Sequence, residues 1–155
     1  MLDGFVRHFS HAMLAVDREA PRAVGRNGRM YQPGIGPHGE REAVELTVQR
    51  MRTQHQHLYN ELQTQVTYPG SQQKCDILWT TNLTSWAIEV KMIRLRGDNG
   101  KLADLSVQDI LSPYEADHSA VADCLRLSTA AFRDHKAVLL YAFDDPQGPQ
   151  ERRGQ

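Results

Sequence analysis

The chain has 155 residues, of which 40% are hydrophobic and 24% charged, with a formal net charge of −1. Those proportions suit one soluble domain with a proper core, and the near-neutral balance points neither toward nor away from nucleic acid. No apolar run approaches the about 18 residues of a membrane span, which excludes a spanning helix. The opening MLDGFVRHFSHAML lacks the basic-then-apolar order of a signal peptide. Cys75 and Cys124 stand alone, without metal-ligand spacing, and read as reduced, buried thiols. Cytoplasm is the expected location.

From Leu2 to about Arg18, the residues Leu2, Phe5, Val6, Phe9, Met13, Leu14 and Val16 recur near helical spacing, with Asp3 as the expected N-cap. His8 and His11 lie one turn apart on this helix, but no third ligand follows, so they read as ordinary helix histidines. Pro21 closes the segment. Gly25 to Gly39 is a loop by composition. Its Gly-x-Gly is not a phosphate loop, because no Gly-Lys-Ser/Thr follows and no strand precedes. Arg26 and Arg29 on such an arm could reach phosphates, although a plain surface loop explains it as well.

Glu40 to about Asn60 is expected to be a second helix, with Val44, Val48, Met51 and Leu58 as its apolar stripe. At about 100° per residue, Glu40 falls within about 40° of the stripe centre, Glu45 about 100° away and Glu42 about 160° away. His55 and His57 point apart and cannot share one metal. Glu61–Tyr68 alternates Leu62, Thr64 and Val66 against polar neighbours, as a strand does, and Pro69-Gly70 ends it.

Lys74 to Lys91 reads as two antiparallel strands joined by a tight turn at Thr81-Asn82-Leu83-Thr84. With Asn82 and Leu83 at the centre of the turn, Asp76 comes directly opposite Glu89. Alternation puts Cys75, Ile77, Trp79, Trp86, Ile88 and Val90 on one face, a core. The other face carries Asp76, Leu78, Ala87, Glu89 and Lys91, and it is expected to be open. Opposed side chains lie roughly 4.5–5.5 Å apart at Cβ, where like charges destabilise. Two carboxylates so placed suit a divalent ion with oxygen ligands, Mg²⁺ or Mn²⁺. Lys91 could orient a water or hold a phosphate oxygen. A metal with a positioned water is the equipment of phosphodiester hydrolysis.

Met92 to Arg96 extends that last strand, and Arg94, Arg96 and Lys101 make a basic cluster beyond the acids, able to grip a phosphate backbone or to sit solvated. Lys101–Pro113 is irregular. Glu115–Phe132 is expected to be a helix, apolar on one side, with Asp117, His118, Ser119 and Asp123 near its start; His118 reads as a capping or solvated histidine. Lys136–Phe143 is a continuous apolar run, suited to a strand buried on both faces and reached by a right-handed crossover. Residues 144–155 read as a disordered tail.

Asp76 followed after a hairpin by Glu89-Val90-Lys91 resembles the PD-(D/E)xK nucleases of the restriction-endonuclease-like fold, with Cys75 where that family often has proline. The resemblance implies an α/β (α+β, mixed-sheet) protein with an α-β-β-β-α-β core over Glu40–Phe143 and Leu2–Arg18 as an added helix, residues 1–143 forming one nuclease-like domain. It implies Asp76, Glu89 and the carbonyl of Val90 as metal ligands, and Lys91 as the residue that positions the attacking water. A glutamate on the preceding helix usually faces the metal in that family, which leaves Glu40 or Glu45. The implied activity is Mg²⁺-dependent DNA cleavage, in restriction, defence or repair. RNA stays open as a substrate, and a homodimer is compatible with cutting two strands. The alternative is a non-catalytic nucleic-acid-binding or assembly module on the same fold.

Overall fold

Helix α1, Leu2–Arg18, buries Phe5, Phe9, Ala12, Met13 and Val16, a stripe that returns every three or four residues. Val6 and Leu14, expected on that stripe, face outward. Met1 rather than Asp3 takes the capping position, and Asp3 instead accepts a hydrogen bond from Arg7 Nη2 at 2.6 Å. The computed structural model describes residues 1–24, 28, 30–94, 110–112, 114, 119–132 and 134–143. The expected tail therefore lies outside the described residues.

The segment expected to be a plain loop, Gly25 to Gly39, instead holds β2 (Met30–Pro33), which pairs antiparallel with β1 (Arg22–Val24) just before it. A strand therefore does precede the Gly-x-Gly, contrary to expectation. Beyond β2 the chain is tied to α1, where the Ile35 N–H donates to Asp17 Oδ1 at 3.0 Å. Gly34 takes φ +116 there, and a Cβ on it would lie 2.9 Å from the same oxygen. Only glycine meets both demands.

Helix α2, Glu40–Gln54, buries Ala43, Val44, Thr47, Val48 and Met51. The expected single helix breaks at His55, whose φ −137 and ψ 49 are not helical, and a one-turn helix α3, Gln56–Tyr59, follows. The break shifts the phase, so Leu58 is exposed and Tyr59 takes the core position. Tyr59 packs edge-on to Phe5, with ring centroids 5.9 Å apart, and Phe5 stacks on Trp79 at 5.2 Å.

A four-stranded sheet runs in the order β3 (Leu62–Thr67), β4 (Lys74–Thr80), β5 (Ser85–Arg94), β6 (His135–Phe143). The first three strands are antiparallel, and β6 is parallel to β5. The hairpin register is the expected one from Thr80–Ser85 to Ile77–Ile88, but the ladder ends there and the expected Asp76–Glu89 pair is not part of it. Helix α4, Ala120–Thr129, begins at the cap Ser119, whose Oγ accepts from the Ala122 N–H at 3.1 Å. Ala130–Phe132, expected to end that helix, lies beyond it. The fold is thus a mixed α/β arrangement of helices around a mixed sheet.

One face of the sheet carries Leu62, Ile77, Trp79, Ile88 and Val90 against α1, α2 and Tyr59. On the other, Tyr68, Cys75 and Ala87 pack with Leu127 of α4, flanked by Phe132 and Val138. Each large apolar side chain removed from water contributes about 1.5–3 kcal/mol, so both helical layers hold the sheet. Cys75 does not share the core of Ile77, as strict alternation required. Gln65, across from Asp76, takes a left-handed φ of 55, which breaks the two-residue alternation of its own strand β3. Cys124 is exposed rather than buried. Strand β6 lies at the sheet edge among the described residues, and Leu140 is half exposed, so the run is not buried on both faces. No described helix is long and apolar enough to cross a membrane.

Candidate functional site

Asp76 stands at a defect in the sheet. The β4–β5 ladder runs from Thr80–Ser85 only as far as Ile77–Ile88, and beyond that point a side chain replaces backbone pairing. The Val90 N–H donates to Asp76 Oδ2 at 2.8 Å. On the opposite flank, Gln65 Nε2 donates to Asp76 Oδ1 at 3.0 Å. Asp76 thereby bridges β3 and β5 through its carboxylate. In an extended residue N–H and C=O point to the same side, so the Val90 carbonyl also faces the gap between β4 and β5.

Glu89 is 3% exposed. Burial, reinforced by a hydrogen bond with the Asp76 carboxyl and by its charge, pushes the Glu89 acid up to about 8. The Tyr68 O–H donates to Glu89 Oε1, and Arg126 Nη1 lies 3.7 Å from the same oxygen. Burial also raises the Cys75 thiol to about 12, which leaves it protonated and unreactive.

Lys91 is enclosed rather than open, with a side chain 12% exposed. Its Nζ lies 3.5 Å from Glu40 Oε1 and 3.3 Å from Asp123 Oδ2. Burial draws its pKa down, but Glu40 and Asp123 outweigh that and hold it above the ordinary lysine value. Glu40 in turn accepts the Met92 N–H at Oε2, 2.6 Å away. Burial raises its carboxyl, with Met92 and Lys91 opposing.

The structure therefore brings Asp76, Glu89, Val90, Lys91 and Glu40 together at the point where β4 and β5 part. It does not bring Glu45, whose carboxylate turns outward to Arg41 Nε at 3.0 Å. Glu42 pairs with His38 Nδ1 at 3.0 Å. Arg94 ends β5. Arg26, Arg29, Arg96, Lys101 and His118 lie outside the described residues.

Sequence reasoning missed four members of the cluster. Asp123, noted only as near a helix start, is buried beside Lys91 and bonded to Arg126 Nη1 at 3.0 Å. One signal was available: Asp123 falls between Ala120 and Leu127 at helical spacing, an acid inside an apolar stripe. Arg126 follows it by one turn. Tyr68 and Gln65 carried no signal, because their placement depends on the break in alternation at Gln65.

Four carboxyls, Glu40, Asp76, Glu89 and Asp123, meet two fixed cations, Lys91 and Arg126. Fully ionised, the cluster carries two unbalanced negative charges. Among the described residues, no three His, Cys, Asp or Glu side chains form a ready metal-binding group. Comparison with protein-family models, curated proteins and solved structures finds no match for the chain.

Proposed function

We propose that this chain is a divalent-metal-dependent phosphodiester hydrolase, a deoxyribonuclease on the restriction-endonuclease-like fold. The observation that carries this reading is the meeting of Asp76, Glu89, Lys91 and Glu40 at the parting of β4 and β5. The order α2, β3, β4, β5, α4, β6, with a mixed sheet between helices, supports the fold assignment.

The donor set fits Mg²⁺ or Mn²⁺. Asp76 and Glu89 offer hard oxygens, the Val90 carbonyl faces the same gap, and Mg²⁺ commonly takes one or two carboxylates while keeping several waters. A cation of charge two would balance the two excess negative charges of the cluster, where burial first and Asp76 second raise the Glu89 acid. Such an ion, when bound, supplies Lewis-acid stabilisation of the phosphoryl oxygens. The protein's own part is positioning. Asp76 is held by Gln65 and Val90. Lys91 remains protonated between Glu40 and Asp123 and can donate to a water or to a phosphate oxygen. DNA is the expected substrate, and cutting both strands with one site per chain would call for a dimer.

Nicking of supercoiled plasmid by the purified chain with Mg²⁺ or Mn²⁺ tests the proposal, with Asp76→Asn as control. Metal-dependent nicking lost in that variant supports it. A second reading, a non-catalytic nucleic-acid-binding or assembly module, is favoured by the enclosure of Lys91 and Glu89, whose charges are already met by protein groups. DNA retention without metal-dependent nicking would select that one.

A further inference from the structure

The hydroxyl of Tyr68 belongs to neither core. Its ring packs 5.2 Å from Phe132, centroid to centroid, among Cys75, Ala87 and Leu127, and that apolar contact would be as good for phenylalanine. Its oxygen, however, is aimed at the acid cluster and donates to Glu89 Oε1. A phenol has one proton to give, and here it goes to a carboxylate oxygen. Arg126 Nη1 approaches the same oxygen at 3.7 Å. Both contacts act on Oε1, and neither acts on Oε2.

Fixing one oxygen of a carboxylate fixes the plane of the group, and so the direction of the other oxygen. We propose that Tyr68 is a positioning residue for the metal centre, holding Oε1 of Glu89 so that Oε2 is presented, together with Asp76, to a divalent cation. The inference rests on the metal-site reading above. Groups that hydrogen-bond a metal-ligating carboxylate commonly matter by about 10–100-fold in metal affinity. Tyr68 suits the test because its hydroxyl is uncharged: removing it takes no formal charge from the site, whereas removing Arg126 would.

The test measures Mn²⁺ binding to the full chain by calorimetric titration, without nucleic acid. It compares wild type, Tyr68→Phe, Phe132→Leu and Asp76→Asn, with melting in the absence of metal to confirm that each is folded. Phe132→Leu disturbs the packing around the Tyr68 ring without touching the hydroxyl. The expected result is a dissociation constant about tenfold or more higher in Tyr68→Phe, and within about twofold of wild type in Phe132→Leu. Equal affinities for wild type and Tyr68→Phe overturn the positioning role while leaving the metal centre standing. Equal weakening in Tyr68→Phe and Phe132→Leu overturns it too, since packing would then be the cause. Failure of wild type to bind Mn²⁺, or binding unchanged by Asp76→Asn, removes the metal centre itself and the role of Tyr68 with it.

Discussion

The Met92 N–H donates to Glu40 Oε2 at 2.6 Å, so the first residue of α2 does for β5 what a neighbouring strand would otherwise do. That N–H points to the same side as the Val90 N–H, two residues earlier, toward the flank that β4 has left. Glu40→Gln keeps one acceptor oxygen but sets an amide donor among groups that need an acceptor. Its plasmid-nicking rate should fall by about tenfold or more, whereas Glu45→Gln and Glu42→Gln, on side chains that face Arg41 and His38, should stay within about twofold. Greater damage from Glu45→Gln than from Glu40→Gln would remove Glu40 from the site.

Lys91→Ala should abolish metal-dependent cleavage and should also lower stability. An open-face lysine could be removed without structural cost, but Lys91 is enclosed between Glu40 and the buried Asp123. Removing one partner of a buried ion pair leaves uncompensated charge, at a cost of about 3 kcal/mol. Adding Glu40→Gln to the alanine variant should restore part of that loss. Urea midpoints of the wild type, the single and the double variant check both statements. An unchanged midpoint in Lys91→Ala would show that the network contributes nothing to folding.

The parts of this molecule that follow local rules were legible in the sequence. The hairpin register could be read because a largely polar run, Thr81-Asn82-Leu83-Thr84, marks its turn between two apolar-rich strands, and Glu40 could be ranked above Glu45 because helical angle alone separates them. The limits are equally physical. His55 leaves helical geometry without a glycine or proline to announce it, which shifted the stripe from Leu58 to Tyr59. Gln65 takes a left-handed φ that glutamine seldom adopts, and Tyr68, three residues further along the same chain segment, packs on the α4 side of the sheet. The apolar run of β6 looks doubly buried in sequence because periodicity does not reveal how far the helical layers cover each face, and Leu140 is left half exposed. Asp123 became a member of the cluster only once α4 was laid against β5.

A further prediction concerns α1 and α3 and is independent of catalysis. His8 Nδ1 shares a hydrogen bond of 2.7 Å with the Tyr59 hydroxyl, and its ring stacks on His55 at 4.0 Å. Burial first, then the charges of His55, His11, Arg7 and His57, lowers the His8 pKa below 6.5. As pH falls through that value the unfolded chain takes up a proton that the folded chain resists, so this contribution to stability is lost on acidification. His55→Gln removes the nearest competing charge. The drop in melting temperature between pH 7 and pH 5 should be smaller in that variant than in wild type. Parallel curves would mean that the stack does not sense pH.

The Asp76–Glu89 pair makes the opposite prediction. The folded Glu89 acid is held up to about 8 against an ordinary 4.5, so between those values the folded chain retains a proton that the unfolded chain has released. Its contribution is present at low pH and is lost as pH rises toward 8. Asp76→Asn removes the repulsion and can keep the hydrogen bonds to Val90 and Gln65. Its amide oxygen accepts from Val90, and its amide nitrogen donates to Gln65 once the Gln65 amide turns over. Without metal at pH 8 the variant should therefore be at least as stable as wild type, with the difference shrinking toward pH 5. Metal reverses the order. Wild type should gain about 2.7 kcal/mol at a hundredfold excess of Mg²⁺ or Mn²⁺ over its Kd, and the variant should lose most of that gain. Melting curves in chelator and in metal, at both pH values, measure every part of this. Equal metal-induced shifts in the two proteins would show that Asp76 is no ligand, and a metal-free variant clearly weaker at pH 8 would show that the carboxylate is held by cations rather than strained by Glu89.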